Sequence, residues 1–169
     1  AMSNLLDACE AAGARLAFAD NLYLYGPTNG PITEDLPAAD YGVKPKARAE
    51  VTRLWQAAHA EGRVKVAAIR SPDFYGPGVE QSALGSASLM PLAKGKRAIM
   101  LGDVDLPHDV AHVSDYARAV ITLRDADDDA YGEAWHAPCA PTLTLRQHLQ
   151  IAADAVGVKL KLTVLPRWL

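Results

Sequence analysis

Two stretches of the chain are short and almost continuously apolar, at residues 15–19 and 64–69. Strands that are covered on both faces of a parallel sheet have this composition, because neither face alternates with solvent. Each run ends abruptly at polar residues: Asp20-Asn21 follow the first, and RSPDFYGPGVEQS follows the second. The pattern predicts two buried strands whose ends open into polar loops.

Before, between and after these runs, apolar residues recur at helical spacing. Helices are predicted at residues 3–13, 45–61, 83–93, 114–124 and 145–156, and further strands at 97–101, 110–113, 133–138 and 159–165. Ser114 is expected to cap the fourth helix, and Thr144 with Gln147 has the residue types of a capping box for the fifth. Alternation of helix and strand predicts an α/β fold with a parallel sheet and crossover helices.

The segment 20–43 is a long loop rich in Pro, Gly, Asn and Asp. Loops of this length inside a compact domain more often bind a ligand than merely connect two elements. In α/β proteins, ligands bind in a crevice beyond the carboxyl ends of the strands. We therefore expect the ends of the two apolar strands to form a binding site.

Composition narrows the function classes. The chain has 169 residues, is 50% hydrophobic and carries a net charge of -3, which gives no basic face for nucleic acid. No apolar run is long enough to span a bilayer, so no membrane association is predicted. Cys9 and Cys139 form no disulfide pattern and are interpreted as free thiols of a cytoplasmic protein.

Several segments, in order, resemble one enzyme family. They are FADNLYLYGP, ITEDLP, IRSPDFYGPGV, LGDVDLPHDVAHVSDYARAV and GEAWHAP. The chain is similar to the extended and atypical short-chain dehydrogenase/reductase superfamily, in its NAD-dependent epimerase/dehydratase group. The resemblance implies a partial Rossmann-like parallel sheet that lacks its N-terminal βαβ units, followed by a small C-terminal substrate domain. It also implies NAD or NADP as cofactor, although no glycine-rich phosphate loop occurs in this chain.

The resemblance assigns a catalytic set. The Ser or Thr that precedes the Tyr-Gly pair in the family corresponds here to Asn21, and the Tyr-x-x-x-Lys segment corresponds to Tyr41 and Lys44, with Pro45 in the fourth place. A Tyr hydroxyl would move a proton as general acid or base, and a nearby Lys would lower its pKa. Pro45 predicts that the helix begins only there, which would leave Tyr41 in the loop.

Other site residues follow from the same resemblance. Cofactor contacts are assigned to Ala19, Tyr41, Lys44, Ser71 and Pro72, and substrate contacts to Asn21, Asp73 and His108. Asp73 occupies a position that is often Asn facing a nucleotide-sugar phosphate, where a carboxylate would repel a diphosphate. This residue argues against an ordinary nucleotide-sugar substrate, or for a metal or a cationic neighbour; a loop Asp that caps a backbone turn is the plain alternative.

A metal site is not predicted. His108 and His112 have a spacing that suits zinc on a helix, but Pro107 and the neighbouring valines indicate a strand. Arg70 is interpreted as an anchor of the strand end, through a salt bridge or carbonyl contacts. Asn21 could alternatively form a turn with its own loop.

The predicted organisation places the Rossmann-like part at 1–70 and the substrate-binding part at 71–169, with 108–138 returning to the sheet. The main hypothesis is an NAD(P)-dependent epimerase/dehydratase or reductase acting by hydride transfer on a sugar-like or other hydroxyl or carbonyl substrate, seen as a fragment. A complete chain, with Ala1-Met2 as a tag remnant and start codon, is the alternative. The rival functions are a non-catalytic NAD(P)-binding sensor and a self-contained domain without cofactor. An open sheet edge predicts a homo-oligomer.

Overall fold

The computed structural model describes residues 1–39 and 41–166. The helices are Met2–Ala12 (α1), Val43–Ala60 (α2), Ser86–Ala93 (α3), Val113–Asp125 (α4) and Leu145–Ala155 (α5). The strands are Leu16–Asn21 (β1), Val66–Ser71 (β2), Asp73–Tyr75 (β3), Ala98–Leu101 (β4), Pro107–His108 (β5), Val110–His112 (β6), Ala134–His136 (β7), Leu143–Thr144 (β8) and Leu162–Leu165 (β9). Short 3₁₀ helices occur at Leu22–Tyr25 and Asp128–Ala130. Within this part of the chain, no helix is both long and apolar enough to cross a membrane.

The chain divides into two compact units. Unit 1 comprises Ala1–Ser71 with Ala117–Ala137, and unit 2 comprises Pro72–Tyr116 with Pro138–Leu169. Each unit has its own hydrophobic core and its own strand pairs, so each is described separately.

Unit 1 contains a three-stranded parallel sheet in the order β1-β2-β7. All six residues of the central strand β2 are buried, which explains why its sequence has no alternation. β1 runs beside β2 from the Leu16–Val66 pair to the Asn21–Ser71 pair. The predicted parallel sheet is thus confirmed, and the register aligns the carboxyl ends of β1 and β2.

The core of unit 1 forms where α1 and α2 pack on this sheet. Trp55 of α2 is fully buried, and its ring meets Phe18 of β1 edge to face with the ring centroids 6.3 Å apart. Leu6 of α1 joins the same cluster. α1 ends at Gly13, whose φ of 60° is the left-handed conformation in which glycine is favoured.

Unit 2 is built from pairs of strands. β3 pairs with β6 and β4 pairs with β9, both parallel, while β5 and β8 are antiparallel. Its core includes Leu92 of α3, Met100 of β4 and Leu149 of α5. The capping box predicted for α5 is confirmed: Gln147 N donates to Thr144 Oγ1 at 3.1 Å, and Thr144 N donates to the Gln147 side chain at 2.8 Å.

Some boundaries differ from prediction. β1 continues through Asp20 and Asn21 because pairing with β2 satisfies its backbone there, although these side chains are polar. The prediction that Ser114 caps its helix is wrong, since α4 already begins at Val113. α2 begins at Val43, two residues before Pro45, so Pro45 lies in the first turn rather than at the start.

Candidate functional site

The end of β1 is shaped by Asn21. Its side-chain oxygen accepts a hydrogen bond from Tyr23 N at 3.1 Å and so caps the 3₁₀ helix Leu22–Tyr25. This is the turn-forming role that the sequence left open as the alternative for Asn21. Gly26 follows that helix with φ of 64°. The strand therefore turns sharply at its carboxyl end and presents side chains around the turn.

Tyr41 and Lys44 both contact this turn. The Lys44 ammonium lies 5.2 Å from the centroid of the Tyr23 ring, in cation–π geometry. The Tyr41 hydroxyl lies so close to Gly26 that a Cβ there would be 2.7 Å away. As expected, Tyr41 lies in the loop, two residues before α2, whereas Lys44 is the second residue of that helix.

Tyr23 was missed by the sequence analysis. It is 53% exposed and is the aromatic neighbour of Lys44, a place that the spacing had assigned to Tyr41. The only signal in the sequence was its position two residues after Asn21, on a segment already expected to line the site.

Of the residues assigned to the cofactor, Ala19 lies in β1, Ser71 ends β2 and Pro72 follows it, whereas Tyr41 lies just before α2 and Lys44 in its first turn. Ala19 pairs with Ile69 within the sheet, and Ser71 pairs with Asn21 at its end. The Ser71 hydroxyl is buried and has no hydrogen-bond partner among the described residues. A buried unpaired hydroxyl at a strand end fits a ligand group at this edge. Pro72 follows directly and separates β2 from β3.

Behind this edge, Arg70 is the centre of a buried polar cluster. It is 3% exposed and donates to Asp20 at 3.4 Å, to the Tyr25 hydroxyl at 2.6 Å and to Thr52 at 3.4 Å. The Asp20 side chain is fully buried and also lies 3.6 Å from Arg48. The prediction that Arg70 anchors the strand end through a salt bridge is confirmed.

His136 of β7 continues this cluster. Because Arg70 can only donate, the Tyr25 hydroxyl accepts from it, and its own proton is directed to His136 Nε2 at 2.9 Å. The Ile32 backbone bonds the same imidazole ring. Burial lowers the pKa of His136 and raises the pKa of Tyr25, so both are neutral at pH 7.

Glu34 joins the long loop to the same strand. Its carboxylate accepts a hydrogen bond from His136 N at 2.9 Å, and this bond is the main cause that holds the pKa of Glu34 below its usual value. Ile32 and Glu34 thus attach the loop after β1 to the end of β7. Glu34 and His136 are 102 residues apart in the sequence. His136 therefore has a structural role.

In unit 2, Asp73 and His108 form a pair. His108 Nε2 lies 3.1 Å from Asp73 Oδ2, and because a carboxylate only accepts, the ring nitrogen donates. This bond is the largest cause lowering the pKa of Asp73, and the Ala83 backbone adds to it. Asp73 is thus hydrogen-bonded to both a histidine ring and the backbone of Ala83.

The pair lies on the wall of a cavity of about 580 Å³. That volume lies in the range of small-molecule sites. The polar residues of the wall are Asp73, Ser82, Ser88, Asp103 and His108, and the others are apolar. None of the described lining residues is Lys or Arg.

The two histidines with zinc-like spacing point to different partners. His112 stacks edge to face on Tyr75, with the centroids 5.1 Å apart, while His108 bonds to Asp73. Over the described ranges there is no group of three or more His, Cys, Asp or Glu side chains arranged to hold a metal ion.

Comparison with known proteins identifies the family. The sequence model of the NAD dependent epimerase/dehydratase family matches residues 1–136, so the chain belongs to that family. A comparison with curated proteins gave no match.

Solved structures share the fold. A double mutant of DesIV, a dTDP-glucose 4,6-dehydratase from Streptomyces venezuelae with NAD bound, has a TM-score of 0.82 and 21% identity over 98% of this chain and 52% of its own. The UDP-glucuronic acid 4-epimerase of Bacillus cereus with NAD has a TM-score of 0.83 and 16% identity, over 98% of this chain and 55% of its own. RMD of Pseudomonas aeruginosa, complexed with NADPH, has a TM-score of 0.82 and 21% identity, over 98% of this chain and 60% of its own.

These likenesses confirm the predicted Rossmann-like α/β fold and the family resemblance. The chain spans about half the length of the DesIV and epimerase structures.

Proposed function

We propose that this chain is a fragment of an NAD(P)-dependent epimerase/dehydratase or reductase, acting by hydride transfer on a sugar-like or other hydroxyl or carbonyl substrate. The observation that carries the proposal is the arrangement at the end of β1. There Asn21 caps the turn, Tyr41 and Lys44 contact it, and the unpaired hydroxyl of Ser71 lies in register beside Asn21.

The catalytic residues have separate roles. Tyr41 moves the proton to or from the substrate oxygen, and Lys44 favours the ionised form of a nearby tyrosine by its positive charge. Asn21 positions the substrate oxygen through its NH₂ group, because its amide oxygen is engaged by the cap. Asp73 and His108 contact the substrate.

NAD or NADP, when bound, supplies the hydride acceptor and donor. The residues that would hold it here are Ala19, Tyr41, Lys44, Ser71 and Pro72. The similar structures that contain NAD or NADPH support the choice of cofactor.

The test uses the protein expressed from its native reading frame, with NAD⁺ and NADP⁺ and a panel of sugars and alcohols. Tyr41→Phe is expected to reduce kcat at least a hundredfold, since general acid–base catalysis contributes about 10²–10⁴-fold. Tyr23→Phe is the matched variant, because it removes the same hydroxyl from the ring that contacts Lys44. If only Tyr23→Phe abolishes turnover, the proton-transfer role belongs to Tyr23 and our assignment of Tyr41 is wrong.

A non-catalytic NAD(P)-binding sensor is the second candidate. The position of Tyr41 outside α2 favours it, since a tyrosine and lysine on one helical face are absent from this segment. In that case the cofactor binds with measurable affinity and no substrate of the panel turns over.

We also propose that unit 1 is the dinucleotide-binding part and unit 2 the substrate-binding part, and that the protein is a cytoplasmic homo-oligomer. Cys9 and Cys139 form no disulfide within the described residues. Multi-angle light scattering tests the oligomer: a monomeric mass would contradict it.

A further inference from the structure

The cavity of unit 2 has a wall chemistry that bears on the substrate class. We propose that it binds an uncharged hydroxyl-bearing compound with an apolar body, and that it excludes phosphorylated ligands such as nucleoside diphosphates. The inference rests on the proposed function, because it assigns the substrate class to the site of Asp73 and His108.

The first step is charge. Asp73 and Asp103 both line the cavity, and the described lining residues include no Lys or Arg to offset them. His108 donates its Nε2 proton to Asp73, so the one basic side chain of the wall is already engaged. A diphosphate would therefore face carboxylates without a matching cation, which is unfavourable.

The second step is hydrogen bonding. The hydroxyl of Ser82 donates to Phe74 O at 2.5 Å, and that of Ser88 donates to Ala83 O at 2.7 Å. Phosphate recognition needs donors, and these two donors are used within the protein. Carboxylate oxygens remain as acceptors, and they suit ligand hydroxyl groups.

The third step is the apolar surface. Ile99, Leu101 and Leu106 line the cavity although each is more than half exposed. Ile99 and Leu101 are the exposed positions of β4, which alternates buried and exposed residues. A ligand with an apolar body would cover this surface, and its burial would contribute to affinity.

The experiment is isothermal titration calorimetry on the whole protein with two probes, trans-4-methylcyclohexanol and UDP. The wild type is expected to bind the alcohol, and UDP at least tenfold more weakly. Leu106→Ser should weaken alcohol binding several-fold without altering the circular dichroism spectrum. If UDP binds more tightly than the alcohol, or the alcohol does not bind at millimolar concentration, the inference is overturned.

A charge variant tests the reason. Asp73→Asn with Asp103→Asn should strengthen UDP binding by about tenfold or more, because each carboxylate repels a nearby phosphate charge. Asp154→Asn is the control, since it removes the same charge from α5 outside the cavity. If the double variant does not fold, the exposed Asp103→Asn alone carries the test. Equal UDP affinity in the charge variant and the control would overturn the electrostatic reason.

These experiments distinguish a failure of the proposed function from a failure of the cavity inference. If the alcohol binds with the expected selectivity but no alcohol or ketone turns over with NAD(H) or NADP(H), the cavity inference stands and hydride transfer is wrong. If turnover occurs only with nucleotide sugars, hydride transfer stands and the cavity inference is wrong.

Discussion

The Tyr25 hydroxyl lies between the buried Arg70 cation and the half-buried imidazole of His136. It accepts from Arg70 at 2.6 Å and donates to His136 at 2.9 Å, and Tyr25 itself is 4% exposed. Tyr25→Phe keeps the ring and removes only this oxygen. The substitution therefore measures what the polar cluster contributes to unit 1, without creating a cavity of side-chain size.

The expected loss follows because Arg70 and His136 each lose one hydrogen-bond partner. Arg70 keeps its bonds to Asp20 and Thr52, both at 3.4 Å, but loses its shortest one. An unsatisfied buried group costs about 1–3 kcal/mol, and more when it is charged. We expect the free energy of unfolding to fall by about 2–4 kcal/mol. For a chain of this size, that corresponds to a decrease in Tm of about 5–15 °C.

The assay is urea unfolding followed by far-UV circular dichroism, with a thermal melt as the second measurement. Tyr23→Phe is the matched control, because it makes the same chemical change two residues earlier on a side chain that is 53% exposed. It should change the free energy of unfolding by no more than about 0.5 kcal/mol. Equal losses for the two variants would refute the reasoning, since the buried hydroxyl would then contribute nothing beyond an exposed one.

Three further predictions concern packing, the turn after β1 and pH. Leu149→Ala, fully buried in unit 2, should cost about 2–5 kcal/mol, whereas Ile151→Ala on the exposed side of the same helix should cost far less by urea unfolding. Gly26→Ala should lower the free energy of unfolding more than Gly13→Ala. Both glycines have φ near 60°, but of the two only Gly26 would place a Cβ close to side-chain atoms, 2.7 Å from the Tyr41 hydroxyl and 2.9 Å from the Ala39 Cβ. Equal losses for the two variants would contradict this close approach. The pKa of Asp73 is lowered in the folded state, so the ionised Asp73 stabilises the protein above about pH 4 and this stabilisation is lost as the pH falls further. The difference in free energy of unfolding between the wild type and Asp73→Asn should therefore shrink as the pH falls below about 4. A difference that stays constant with pH would contradict this prediction.

Much of the fold was accessible from local sequence patterns. The continuous run before Arg70 predicted a strand buried on both faces, and β2 is buried at every position. The capping box of Thr144 and Gln147 was equally local, because its bonds span three residues. Ser114 shows the limit of such signals: a residue type that favours the cap also occurs inside a first turn.

The contacts of the candidate site were harder to predict because they join distant segments. Tyr23 and Lys44 meet only because the loop after β1 returns to the start of α2. The Asp73–His108 bond depends on strand pairing within unit 2 and joins positions 35 residues apart. A cationic neighbour of Asp73 was only one of the alternatives that the sequence left open, and no local pattern indicated His108.

The parallel order β1-β2-β7 has a consequence for biosynthesis. β1 pairs with a strand 50 residues later, and β2 acquires its second neighbour only when β7 is made, about 68 residues after β2 begins. At translation rates of about 5–20 residues per second, several seconds separate each strand from its partner. During that interval the edge of β2 that later pairs with β7 is open in the nascent chain, because Ala134–His136 have not yet been made.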